Sequence, residues 1–208
     1  MKQSVFAFLI LVCGVQLGYG KPQIDTVEIN RDLAKAVVLS NSDPVMSDSI
    51  VKQVMDKLGS EYPRIRLNAS MIRAKSLFNL GKMDEAMAMA EICQRSAEEL
   101  DDPATRLDAI KIKMAVWLGQ GAIDEVKKAA QTGLEVAERL DLKSQMIDMN
   151  NALGNVGILT GNYDQGIENF LRALRAADEV DSIRQQGLIS SNLASAYLAV
   201  GDIAKIVF

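Results

Sequence analysis

The apolar positions of this chain fall into two regimes. Val5 to Val15 is an unbroken run of apolar or small residues, whereas the region from Arg64 onward carries a mixed pattern that returns every 40 residues. Gly81, Gly121, Gly161 and Gly201 set that register without a gap. A similar turn follows each glycine: Gly81-Lys82-Met83-Asp84, Gly121-Ala122-Ile123-Asp124, Gly161-Asn162-Tyr163-Asp164 and, more loosely, Gly201-Asp202-Ile203-Ala204. A glycine just past one helix supplies a left-handed cap, and an acidic side chain in the next first turn meets the positive end of the following helix. The pattern therefore predicts two antiparallel helices joined by each turn.

The same register holds through the second helix of each unit. Ala97-Glu98-Glu99-Leu100-Asp101 recurs as Ala137-Glu138-Arg139-Leu140-Asp141 and as Ala177-Asp178-Glu179-Val180-Asp181. Ala74, Met114, Gly154 and Ala194 precede the turn glycines, and three of these four are small, as close passage of two helix axes requires. Leu77, Trp117, Gly157 and Tyr197 fill the next equivalent site, which calls for a bulky knob. Asp102 before Pro103 reads as a helix cap, and Asp141 and Asp181 are expected to act at the same joint. Gly133, Gly154, Gly157, Gly166 and Gly187 lie inside helices, where each costs about 1 kcal/mol against alanine, so the later units are expected to be soft.

Upstream, Ile24 to Leu39 and Val45 to Leu58 read as one more helix pair, divided at Ser40-Asn41-Ser42-Asp43-Pro44, with Asp43 capping and Pro44 opening the second helix. The expected organisation is a leader over 1–20, a divergent helix pair or cap over 21–62, and repeats over 63–208. The repeats divide at about 63–101, 102–141, 142–181 and 182–208, the last being incomplete. The fold class is all-α: a superhelical array, or α-solenoid, of antiparallel helix pairs. An array that stops after Gly201 with seven residues left is expected to leave Leu193, Tyr197 and Leu198 partly bare, so the expectation is either that the chain is the leading part of a longer protein, the reading its apolar end favours, or that this end docks on itself or on another chain.

These features resemble the tetratricopeptide (TPR) repeat family in a 40-residue variant. The clearest stretch runs from Leu153-Gly154-Asn155 through Gly161-Asn162-Tyr163-Asp164 to Phe170-Leu171-Arg172-Ala173-Leu174. Val126, Gly166 and Ile206 depart from the family's alanine, Gly157 from its aromatic residue, and the proline that usually closes the second helix is missing. The resemblance implies a binding scaffold. Its longer period is similar to that of peptide-binding adaptors and of periplasmic sensory regions in bacterial signalling proteins such as membrane-bound diguanylate cyclases.

Composition narrows the function. Histidine is absent and Asp plus Glu outnumber Lys plus Arg by 27 to 23. The first fact removes the commonest general base and metal ligand, and the second, with no clustered cations, disfavours a nucleic-acid surface. No catalytic residues, metal site or cofactor are expected. Lys2, the apolar run and Gly18-Tyr19-Gly20 read as a cleaved export signal, too short for the roughly 20 residues of a membrane span, and no later segment could span a bilayer. The expected location is the periplasm. Cys93 alone of the two cysteines would survive cleavage, as a buried apolar residue.

In a superhelix of helix pairs the first helix of each pair makes the inner wall, the default binding surface. Asn151, Asn155 and Asn192, with Lys111, Ser195 and Lys75, are the candidate partner-binding residues there. An asparagine carries both donor and acceptor, so a ladder of them can hold the main chain of an extended peptide whatever its side chains are. The expected partner is a protein or extended peptide. The alternative is the sensory region of a transmembrane signalling protein whose output domain lies outside this chain.

The leader reading has a direct check. Expressed whole in a secreting bacterium, the chain is expected to appear in the periplasmic fraction with an intact mass that begins at Lys21; a mass beginning at Met1 would contradict it.

Overall fold

The computed structural model describes residues 24–201, and among them it forms nine α-helices and no strand. The leader over 1–20 and the residues after Gly201 lie outside the described residues. In chain order the helices are α1 (Thr26–Ser42), α2 (Pro44–Lys57), α3 (Pro63–Asn79), α4 (Met83–Glu99), α5 (Pro103–Gly119), α6 (Ile123–Arg139), α7 (Lys143–Leu159), α8 (Tyr163–Glu179) and α9 (Ile183–Ala199). From α3 onward every helix has 17 residues. None of the described helices is long and apolar enough to cross a membrane.

The equal lengths follow from equal joints. Gly81, Gly121, Gly161 and Gly201 have φ between 73° and 76°, as the turn pattern predicts. The alternate joints reach the same left-handed conformation with Asp101, Asp141 and Asp181, at φ of 50° to 51°. At Gly81 the Lys82 amide donates to the Leu77 carbonyl at 3.0 Å and the Gly81 amide to Phe78 at 2.9 Å, the paired bonds that satisfy the last carbonyls of a helix. At Asp101 the amides of Asp102 and Asp101 donate to Ala97 at 2.8 Å and Glu98 at 3.2 Å. This corrects the capping expectation. Of these three aspartates only Asp102 caps with its side chain, accepting from the Thr105 amide at 3.0 Å, whereas Asp141 and Asp181 occupy the register of Asp101 and supply the turn itself. Leu142 and Ser182 hold the cap position of α7 and α9 and make no side-chain cap bond.

The break between α1 and α2 is also narrower than the sequence suggests. Ser40, Asn41 and Ser42 are helical, with the Ser40 hydroxyl donating to the Val37 carbonyl at 2.7 Å, and Asp43 alone separates the helices. Pro44 forces the residue before it out of the helical region, and Asp43 then accepts from the Met46 amide at 3.0 Å.

Each helix packs on its neighbours in sequence, and the odd-numbered helices also meet one another from α1 to α9, while no two even-numbered helices come together among the described residues. The crowded odd layer is therefore the inner wall and the even layer the outer one. The first pair has its own core of Ile29, Leu33, Ala36, Val51 and Val54. A polar seam joins it to α3: Arg73 Nε donates to Asp48 at 3.0 Å, and Ser76 Oγ to Ser47 Oγ at 2.9 Å. Burial pushes the Asp48 carboxyl up, but hydrogen bonds from Lys52 and Arg73 outweigh it and hold the group below its ordinary range. Cys93 is fully buried, and burial pushes its thiol up to about 12.

The helical glycines have packing roles that the helix-propensity argument leaves out. A β-carbon on Gly157 would lie 2.6 Å from the backbone of Gly166, and one on Gly154 would lie 2.4 Å from the Phe170 ring. These residues cost helix propensity, yet they allow α7 and α8 to meet backbone to backbone. Gly133 likewise makes room for the Met149 sulfur, whereas Gly187 has nothing within 4 Å. Leu198 is 60% exposed, as expected, while Leu193 packs partly buried against the α8 core.

Alanine separates the two kinds of glycine. Gly157→Ala is expected to destabilise the chain by about 2 kcal/mol through overpacking, and Gly187→Ala to stabilise it by about 0.5 to 1 kcal/mol through helix propensity. Urea unfolding followed by circular dichroism checks both, and equal effects would refute the distinction.

Candidate functional site: the inner wall

The odd helices bring the candidate residues onto one wall. Lys75 comes from α3, Lys111 from α5, Asn151 and Asn155 from α7, and Asn192 and Ser195 from α9. Two hollows share this wall. The larger, about 390 Å³, is lined by Asn155, Asn192, Ser195, Leu118 and Phe170, and the smaller, about 130 Å³, by Lys111, Asp148, Asn151, Asn155 and Leu118. Asn155 and Leu118 belong to both, so the hollows adjoin.

The side chains differ in what they have free. Asn192 Nδ2 donates to Asn151 Oδ1 at 2.8 Å, which ties α9 to α7 and leaves each amide three of its four bonding positions. Ser195 Oγ turns back to the Ser191 carbonyl at 3.0 Å. Asn155, half-buried, makes no side-chain hydrogen bond among the described residues. Of the six candidates, Lys111, Asn151, Asn155, Asn192 and Ser195 thus meet around the hollows, and Lys75 stands apart from them.

A charge network runs beside the hollows. Lys111 Nζ pairs with Asp148 Oδ2 at 2.6 Å, and Gln145 Nε2 donates to Asp108 Oδ1 at 3.0 Å. Burial works against the Lys111 cation, but Asp148 and Asp108 outweigh it and raise its pKa. Burial raises the Asp108 pKa, against the pull of Lys111 and Gln145. Lys75 is lowered by burial and by the charges of Arg184 and Lys111, and it has no ion-pair partner among the described residues. Arg184, in the first turn of α9, therefore reaches the field of α3 and α5. Nothing in the sequence marks Arg184, because its position depends on how tightly the odd helices curve. The sequence leaves Leu118 unmarked for a similar reason: it sits one place after the Trp117 knob, and helix rotation decides which face it joins.

No family model matches the chain, and no curated protein matches it. Solved structures do. The crystal structure of BtubC (BKLC) from P. vanneervenii superposes with a TM-score of 0.63 at 16% identity, over 86% of this chain and 84% of that one. Nearly identical TPR-like repeats of a kinesin-light-chain-like protein from Podosopora anserina superpose with a TM-score of 0.59 at 15% identity, over 86% of this chain and 90% of that one. A variant of the same repeats gives 0.61 at 14% identity, over 88% and 92%. The fold is a tetratricopeptide-like solenoid. At such low identity the likeness concerns the path of the chain, and the side chains on the inner wall of this solenoid have to be read on their own terms.

Asp108 gives this wall a pH signature. Its folded pKa lies above the ordinary 3.8, so the folded solenoid holds an extra proton and stability falls as pH rises from about 3.8 through the folded value. Asp108→Asn removes that loss. Thermal unfolding from about pH 3 to about pH 7 is expected to show the variant gaining on the native chain as pH rises; a constant difference would contradict the assignment.

Proposed function

We propose that this solenoid is a binding scaffold, exported to the periplasm, that holds an extended segment of a partner protein along its inner wall. The observation that carries the reading is Asn155, an amide with no hydrogen-bond partner among the described residues, at the junction of two adjoining hollows. A free amide in a partly apolar hollow is suited to pair with one peptide group of a strand-like segment, while the apolar walls take alternate side chains. Asn151 and Asn192 hold each other in place beside it and each keep spare donors and acceptors. Lys75 adds a cation with no ion-pair partner among the described residues, favouring a segment with an acidic residue or a carboxylate at that end. The composition, which lacks histidine altogether, supports binding and not catalysis as the work of the wall.

Peptides selected from a displayed library of random linear sequences against residues 21–208 provide the test. Asn155→Ala is expected to weaken the selected peptides at least about tenfold, about 1.4 kcal/mol, with helical content unchanged, and Lys75→Gln to weaken the acidic ones selectively. Selected peptides that bind both variants as well as the native chain would overturn the reading.

A further inference from the structure

A separate hollow of about 330 Å³ opens toward the outer layer, between α4 and α6 with α5 as its floor. It shares no residue with the inner-wall hollows. Its base is apolar, formed by Leu107, Ile110, Ala129, Val136 and the single tryptophan, Trp117. Trp117 was expected to be a core knob; it is only partly buried, and the Lys113 ammonium lies 5.2 Å from its ring centre. Three cations, Arg106, Lys113 and Lys128, line the hollow, against one acid, Glu125.

Arg106 is the decisive group. Its Nε is buried and has no hydrogen-bond partner among the described residues, while the rest of the side chain is 42% exposed and pairs only loosely with Glu98, at 3.8 Å from Nη1. A buried guanidinium N–H without an acceptor is costly, and its fork matches a carboxylate. The preceding repeat supplies an internal control. Arg66 and Arg73 stand one 40-residue period before Arg106 and Lys113. Arg66 donates to the Leu58 carbonyl at 3.0 Å, and Arg73 pairs with Asp48 at 3.0 Å, so both cations there are satisfied within the protein. Here the equivalent of Leu58 is Glu98, and Lys113 reaches only the neutral Gln94, at 3.1 Å.

We propose that this outer hollow binds a small apolar carboxylate, a free molecule whose body lies against Trp117 and Ile110 and whose carboxylate accepts from the Arg106 guanidinium, with Lys113 and Lys128 adding charge. The volume is at the lower end for small-molecule sites and suits a short aliphatic or single-ring acid better than a peptide helix.

The single tryptophan reports directly on occupancy. Octanoate, kept below its micelle concentration, is expected to shift Trp117 emission saturably in residues 21–208, at concentrations about tenfold lower than 1-octanol needs. Arg106→Gln is expected to abolish that preference while the octanol response remains. Lys128→Gln, at an exposed position, is expected to weaken octanoate several-fold with native circular dichroism, and it decides the matter if Arg106→Gln does not fold. Asn155→Ala is expected to leave octanoate binding unchanged, which separates this site from the inner wall. Equal binding of acid and alcohol, no emission shift, or octanoate affinity unchanged in Lys128→Gln would each overturn the proposal.

Discussion

Every described helix from α3 onward ends in a joint whose middle residue has positive φ, and the rest of the solenoid depends on that constraint. The left-handed residue lets the amides after the helix fold back onto its last carbonyls, so the turn needs no outside partner. With the same joint every time, the helices share one length and each reverses direction against the last. Two layers follow from that reversal. The inner layer crowds its helices together and the outer layer spreads them, which leaves two surfaces with different chemistry on one small protein.

The inner surface is polar where the helices meet and apolar where they part. Its polar groups answer one another across successive odd helices, as Lys111 does Asp148 and Gln145 does Asp108. Each of these pairs is 37 residues apart in sequence, while Asn151 and Asn192 are 41 apart, so contact across the wall follows the 40-residue period only to within one helical turn. The same 37-residue offset relates Asn155 to Leu118 on one side and to Asn192 on the other, the residues that line the larger hollow with it. The outer surface is set by spacing in a different way, since its hollow exists because α4 and α6 stand apart above α5.

Much of this was legible in the chain itself. The turn glycines announced the register, the fold class and the helix pairs, because positive φ selects glycine so strongly. The aspartates that do the same work at alternate joints were misread, since an aspartate beside a helix is as often a cap, and only backbone geometry tells the two apart. Gly157 and Gly166 were read as losses of helix propensity because their gain belongs to a contact between two helices, which no single-helix argument contains. The candidate inner-wall residues were found by register alone. Their pairing, the reach of Arg184 and the hollow around Trp117 depend on helix rotation and curvature, which a periodic pattern leaves open.

The contact of Gly157 with Gly166 also has a mechanical meaning. Two helices whose backbones touch cannot slide or roll past each other without collision, so α7 and α8 behave as a single rigid beam. Helix pairs held by side chains alone, which can change rotamer, do not share that stiffness. Changes in curvature of the solenoid are therefore directed to the helix pairs on either side of α7 and α8, while the stretch of wall that carries Asn151 and Asn155 is backed by α8 backbone to backbone.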